Sequence, residues 1–278
     1  MTVHPAIAAG NVAVITGGAS GIGLASARAL SAEGMKIALL DRDKDRLAEA
    51  AASIDGQALA LEIDVADGDA FARIAQHIRT ELGPVSVLMN NAGTGGGGNA
   101  WSNPEGWDRV LGVNLTGVLN GLRAFVPDMI GSDRPGLVIN TGSKQGITQP
   151  PGDTAYNVSK SAVKALTEGL AHSLRTEVGD RITAHLLIPG FTYTGMVAAH
   201  IPQKPAGAAD PEDVVRRMFE GLAQGEFYIL CQDNETTREQ DERRMLWAAQ
   251  DIVERRPALS RWHPDYKDAF DRFMAGEG

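Results

Sequence analysis

A single doubly wound α/β domain is what this chain predicts, and three observations carry the prediction. Seven short apolar runs alternate with helix-length segments between residues 12 and 231, the pattern of βαβ units that close a parallel sheet. A glycine cluster, Gly17 to Gly23, lies between the first run and the first helical segment. The segments after the runs ending at 89, 140 and 188 should open on one carboxyl edge of the sheet, where such folds bind ligands.

Val12–Thr16 reads as the first strand, followed by a helix from about Ile22 to Glu33 that Gly34 stops. Lys36–Leu40 is the second strand, and a charged helix runs from Asp43 to about Ala52. Ala58–Glu62 is the third; Asp67 caps a helix to Leu82, which Gly83-Pro84 terminates. Val85–Met89 and Leu137–Asn140 are the fourth and fifth strands, separated by helical stretches near 104–111 and 114–130. A long helix carries Tyr156 and Lys160 on to about Glu177. Ile182–Ile188 is the sixth strand, Asp210 caps a helix to about Gln224, and Phe227–Leu230 is the last strand. No repeat or linker divides the series. Residues 1–231 are therefore expected to form one core, with sheet pairing mainly parallel, and 232–278 a helical C-terminal extension.

Bulk composition narrows the class. Of 278 residues, 43% are hydrophobic and 22% charged, which supports a sizeable core. A net charge of −9 argues against nucleic-acid binding. The single cysteine, Cys231, excludes an intramolecular disulfide, fits a reducing compartment, and should be a buried structural thiol. No apolar run approaches the ~20 residues that span a bilayer, and Met1 to Gly10 lacks the basic flank of a secretion signal. A cytoplasmic location is expected. His4, His77, His172, His185, His200 and His263 show no metal-ligand spacing, so no metal is expected.

The chemistry concentrates at a few positions. Tyr156 and Lys160 are four residues apart, on one face of a helix, where both reach the same bound molecule. A fixed ammonium beside a phenol favours phenolate and should lower the tyrosine pKa toward the working range. Ser143 follows the fifth apolar run and could steady a carbonyl or alcohol oxygen while Tyr156 moves its proton. Thr16-Gly17 through Ser20, Gly21, Ile22 and Gly23 form a strand–turn–helix junction with Gly-x3-Gly-x-Gly spacing. Its backbone can approach a pyrophosphate that the helix N-terminus also attracts. Asp41 ends the second strand, 20 residues beyond Gly21. A carboxylate there accepts both ribose hydroxyls of NAD and repels the extra phosphate of NADP; Arg42, next to it, offers a phosphate ligand instead. NAD is favoured. Asp64 and Val65 could line the adenine pocket, and Asn91-Ala92-Gly93 gives the backbone room beside the cofactor.

These motifs resemble the short-chain dehydrogenase/reductase family, in its shorter oxidoreductase branch. The matching residues are Thr16-Gly17-x3-Gly21-x-Gly23, Asn90-Asn91-Ala92-Gly93, Asn114, Ser143, Tyr156-x3-Lys160, and Pro189-Gly190 with Thr194, in family order over about residues 10–231. The resemblance implies a Rossmann-type fold and an NAD(P)-dependent enzyme interconverting a secondary alcohol and a ketone. It implies a homo-oligomer, tetramer or dimer, acting on a small molecule. Tyr156 would be the acid–base group, Lys160 would hold the nicotinamide ribose, and Ser143 would bond the substrate oxygen. Asn114 would position a water linking Lys160 to solvent. Pro189, Gly190, Thr192 and Thr194 would hold the nicotinamide carboxamide, with Thr192 replacing a residue that is often apolar in the family.

Three further readings concern substrate access. Thr94 to Asn99, with four glycines, is read either as a mobile pocket wall or as a slack loop. Lys144 is expected to be an exposed lysine. Phe191, Tyr193, Met196 and Ile201 suggest an apolar lid. In the 47 residues after Cys231, one helix from Asn234 to about Arg255 should bury Met245, Ala249, Ile252 and Val253. Trp262, Tyr266, Phe270 and Phe273 form an aromatic stripe. The stripe must pack on the chain's own body or on a neighbouring subunit, and the tail is expected to cover the region around 191–225 and narrow the substrate entrance, from the same chain or from a partner protomer.

Overall fold

The computed structural model describes residues 3–198 and 201–277; His200, among the histidines considered above, lies outside them. The core alternates β1 (Val12–Thr16), α1 (Gly21–Ala32), β2 (Lys36–Asp41), α2 (Lys44–Ala52), β3 (Ala58–Glu62), α3 (Gly68–Glu81) and β4 (Val85–Asn90). It continues with α4 (Pro104–Leu111), α5 (Gly117–Ile130), β5 (Gly136–Thr141), α6 (Gln145–Thr148), α7 (Thr154–Val178) and β6 (Ile182–Ile188). After β6 come α8 (Gly195–Ala198), α9 (Pro211–Ala223) and β7 (Tyr228–Leu230); α10 (Arg238–Val253) and α11 (Lys267–Ala275) form the extension.

The seven strands lie in the order β3-β2-β1-β4-β5-β6-β7, and every pairing is parallel. This is a Rossmann-type sheet with a seventh strand added beyond β6. The order reverses between β1 and β4, so their carboxyl ends flank the ligand crevice. Central strands read as near-continuous apolar runs because helices cover both faces; all of β1 and β5 are buried. One apolar layer packs β1, β2, β4 and β5 against α1, α2 and α9. The other packs the opposite sheet face against α3, α5 and α7. Cys231 is 1% exposed, and burial pushes its thiol up to about 12, as expected of an inert structural group.

Short polar residues set several boundaries as anticipated. Asp43 and Asp67 accept the Arg46 and Ala70 backbone N–H groups at the starts of α2 and α3. The stretch expected as two helices is one continuous helical path from Pro104 to Ile130, joined through a π turn at Gly112–Thr116. That path corrects one expectation: it is 27 residues long and reaches a mean hydropathy of 1.2 over one window, enough to cross a membrane by length and composition. Half of that window is buried against the protein's own body. Asn120, for example, donates to the Val65 carbonyl at 2.9 Å, as a core helix does.

The extension departs most from expectation. Ile252 and Val253, predicted to be buried, are 85% and 79% exposed, while Trp247 is the buried anchor of α10. Phe270 and Phe273 of α11 pack on Trp247 with centroids 5.3 and 5.2 Å away. The aromatic stripe therefore supports α10, while the start of the extension reaches the 191–225 region, where Asn234 donates to the Ala206 and Ala208 carbonyls. Helical periodicity shows which residues share a face but not which face has a neighbour.

Candidate active site

Five elements converge at the carboxyl edge of β1, β4, β5 and β6. On the β1–β4 side, Gly17 adopts φ +64°, and a Cβ there would lie 2.9 Å from Ala92 Cα. A Cβ on Gly23 would lie 2.1 Å from the Gly17 carbonyl oxygen. Only glycine allows this turn to fold back on itself. Ser20 makes no side-chain cap bond, and the first turn of α1, which includes Ile22, carries no acidic residue. The N–H donors there thus remain suited to an anion. Thr194 approaches from the other side, its methyl 3.1 Å from where a Gly21 Cβ would sit.

Thr16 and Asn91 brace this turn. The buried Thr16 hydroxyl accepts the Asn91 and Ala92 N–H groups at 2.9 and 3.1 Å. The Asn91 amide donates to the Thr16 carbonyl at 3.2 Å and accepts from the Thr141 hydroxyl at 3.3 Å. Asp41 lies against the turn, its carboxylate accepting Ala19 and Asp43 N–H groups at 3.2 Å each. Arg42 beside it is exposed. Asp64 is exposed, with a carboxylate oxygen accepting the Ala66 N–H at 2.9 Å; Val65 is buried. An elongated dinucleotide fits this donor set: a pyrophosphate at the free helix start, a ribose at Asp41, and an adenine toward Asp64-Val65.

On the β5–β6 side, α7 presents the reactive groups. Lys160 is 4% exposed and donates from Nζ to the Thr141 carbonyl at 2.8 Å. Burial lowers its amine to about 8. Its Nζ lies 5.8 Å from the Tyr156 ring centroid. The Tyr156 pKa is raised, chiefly by burial and further by the Asp153 charge, while a hydrogen bond with the Ser143 hydroxyl opposes the rise. This corrects the expectation of a lysine-depressed phenol. The Lys160 amine is engaged by the Thr141 carbonyl, and loss of water around the phenolate dominates. Ser143 sits in the turn into α6, its Oγ accepting the Gln145 N–H at 3.1 Å.

Asn114 occupies the π turn, a distortion that often marks functional positions. Its side chain accepts the Thr94 N–H at 2.8 Å and donates to the Thr94 carbonyl and Ser159 Oγ at 2.9 Å each. It thereby ties the loop after β4, where Gly93 lies, to α7. Pro189 and Gly190 follow β6, and the buried Thr192 donates from Oγ1 to the Gly190 carbonyl at 3.2 Å.

Two functional features escaped sequence reasoning. Asp153, the N-cap of α7, accepts the Tyr156 N–H at 3.2 Å. It also accepts Gly96, Gly97 and Gly98 N–H groups at 2.7, 3.4 and 3.1 Å. The glycine-rich segment is therefore a pinned wall beside Tyr156, not a slack loop. An aspartate three residues before Tyr156 was the available signal. Lys144 is the second: it is 15% exposed, not a free surface lysine, and pairs with Asp233 at 3.1 Å and Asp241 at 2.5 Å.

A glycine-turn nucleotide crevice that ends in a serine, a tyrosine and a buried lysine defines a nicotinamide-dinucleotide-dependent oxidoreductase. A family model described as short chain dehydrogenase matches residues 11–205. The chain is 31% identical over 259 residues to 1-deoxy-11-beta-hydroxypentalenate dehydrogenase of Streptomyces exfoliatus, covering 90% of this chain and 93% of that protein. A short chain dehydrogenase/reductase from Burkholderia phymatum, solved in complex with NAD, superposes with a TM-score of 0.81 at 33% identity, over 90% of this chain and 96% of that one. A metagenomic short-chain oxidoreductase in complex with NADP gives 0.67 at 30% identity, over 81% and 98%. The chain belongs to the short-chain dehydrogenase/reductase family.

Proposed function

We propose that this chain is an NAD-dependent enzyme interconverting a secondary alcohol and a ketone, with Tyr156 as acid–base group. The observation that carries the reading is the meeting of Ser143, Tyr156 and the buried Lys160 at one end of a crevice whose other end is the Asp41-flanked glycine turn. In the oxidative direction Tyr156 Oη takes the hydroxyl proton of the substrate, and in reduction it returns it. Ser143 Oγ holds the substrate oxygen and the charge that develops on it. Lys160 supplies the cation below the phenol and holds the nicotinamide ribose. Asn114 keeps one Oδ1 lone pair for a water on the proton path. Pro189, Gly190 and Thr194 position the carboxamide. The bound nicotinamide itself accepts or gives the hydride.

Asp41 supports NAD, since its carboxylate accepts ribose hydroxyls and repels a 2′-phosphate. Arg42, next to it, would favour NADP. We assign the enzyme to the cytoplasm and to a dimer or tetramer. The deciding experiment follows nicotinamide absorbance over a panel of alcohols and ketones with each nucleotide, for the native chain and for Asp41→Ala. Turnover that prefers NAD, and a preference weakened by Asp41→Ala, is the expected result. Tight dinucleotide binding without any turnover would identify a non-catalytic binding protein instead.

A further inference from the structure

Lys144 follows Ser143 directly, and its surroundings come from parts of the chain far away. Its amine lies between Asp233, in the segment after β7, and Asp241 on α10, which is 4% exposed. Burial tends to raise the Asp233 pKa, yet the Lys144 hydrogen bond and charge hold it below the usual carboxylate range. The Lys144 N–H also donates to the Pro189 carbonyl at 3.3 Å, and Gly142 N–H to the Leu187 carbonyl at 2.7 Å. The cluster presses on the adjoining segment, since a Cβ on Gly190 would lie 2.9 Å from Asp233 Oδ2 and 3.0 Å from Lys144 Nζ. One residue further, Asn234 donates from Nδ2 to the Ala206 and Ala208 carbonyls at 3.1 and 2.9 Å, at the far end of the segment that begins with Phe191.

The helix that supplies Asp241 is itself firmly held. Thr237 and Gln240 close a capping box at its start. Trp247 donates from Nε1 to Ser260 Oγ at 2.8 Å, and the Arg256 guanidinium stacks 3.8 Å over its ring. Phe270 and Phe273 close the other side. A mechanical path thus runs from the aromatic stripe through α10 and Asp241 to Lys144, and so to the turn holding the Ser143 hydroxyl.

We propose that Lys144, clamped between Asp233 and Asp241, is a positioning residue for Ser143, and that the C-terminal extension serves this reaction by anchoring that clamp. The proposal rests on the oxidoreductase reading above. A surface lysine would have no such geometry: three segments contribute charges to one buried point, and that point adjoins the residue that holds the substrate oxygen. The clamp touches Pro189-Gly190 but not the glycine turn, so its main effect belongs in kcat and only a small one in dinucleotide affinity.

The test is a double-mutant cycle on the full chain, combined with hydrogen exchange. Lys144→Gln is expected to lower kcat by about tenfold with the NAD dissociation constant changed less than about twofold. In a Ser143→Ala background the same substitution should change kcat by less than about twofold, because the group it positions is gone. Backbone exchange in peptides covering 142–148 should accelerate in Lys144→Gln and Asp241→Asn, while exchange in β1–α1 stays as in the native chain. Asp241→Asn, which keeps the side-chain shape, carries the same cycle if Lys144→Gln does not fold. An undiminished loss in the Ser143→Ala background, or unchanged exchange at 142–148, overturns the proposal. Absence of turnover in the native chain defeats the oxidoreductase reading instead, and exchange alone then decides whether the clamp exists.

Discussion

On the β1–β4 side of the crevice, the turn is built mainly from backbone and neutral groups, namely a glycine at φ +64°, the Thr16 hydroxyl and the Asn91 amide, with one carboxylate, Asp41, on the Ala19 N–H. On the β5–β6 side, the Ser143 turn is fixed by a lysine between two carboxylates. The difference follows from what each side must do. In the proposed reading the nucleotide side presents N–H donors to an anion, and most of its bracing bonds, of about 1 kcal/mol each, are neutral. The substrate side must hold side chains in one orientation. A buried ion cluster imposes a single geometry, and removing one partner costs about 3–5 kcal/mol.

This contrast can be broken from either side. The largest expected effect is that of Gly23→Val: its Cβ would collide with the Gly17 carbonyl at 2.1 Å, so the turn must open. Calorimetry should detect no dinucleotide binding, whereas native affinity would mean that the turn tolerates side chains.

Lys160→Met tests what the site costs the fold. Burial depresses this amine from 10.5 to about 8 in the native state. The charged form is disfavoured by folding, so a penalty of about 3 kcal/mol is fully present below pH 8 and disappears as pH rises through 10.5. Lys160→Met should therefore stabilise the dinucleotide-free chain near pH 7, less about 1 kcal/mol for the lost bond to Thr141. Urea unfolding at pH 7 and pH 10 should show the gain shrinking at the higher pH; a gain that grew with pH would reverse the argument.

Asp153→Asn is the subtlest change. It can keep the Oδ1 bonds to the Gly98 and Tyr156 N–H groups, loses the Oδ2 bonds to Gly96 and Gly97, and removes the negative charge that raises the Tyr156 pKa. The limb of the pH–rate profile that reports the phenol should move to lower pH, with the melting temperature lowered by the loss of the Gly96 and Gly97 bonds. A move to higher pH would exclude Asp153 as a source of that rise.

The same division explains what could be read from the chain beforehand. Strands, glycine turn and Tyr-x3-Lys are local patterns whose spacing specifies their geometry, and all seven strands lie within a residue of where the apolar runs place them. Asp153 reaches Gly96 across 57 residues and Lys144 reaches Asp233 across 89, so nothing in their neighbourhoods signals a partner. The π turn at Asn114 is similarly silent, since the partners of its amide, Thr94 and Ser159, lie 20 and 45 residues away. Tyr156 adds a different lesson: spacing places it on one helix with Lys160, but burial, which spacing does not report, sets the direction of its pKa.

The most direct test of the account is the turnover of Tyr156→Phe beside its NAD affinity. Loss of the proton carrier should cut kcat by about 10²–10⁴-fold while the dissociation constant for NAD stays within about twofold. Native turnover from the phenylalanine variant would contradict the assignment of this crevice as a hydride-transfer site governed by the phenol.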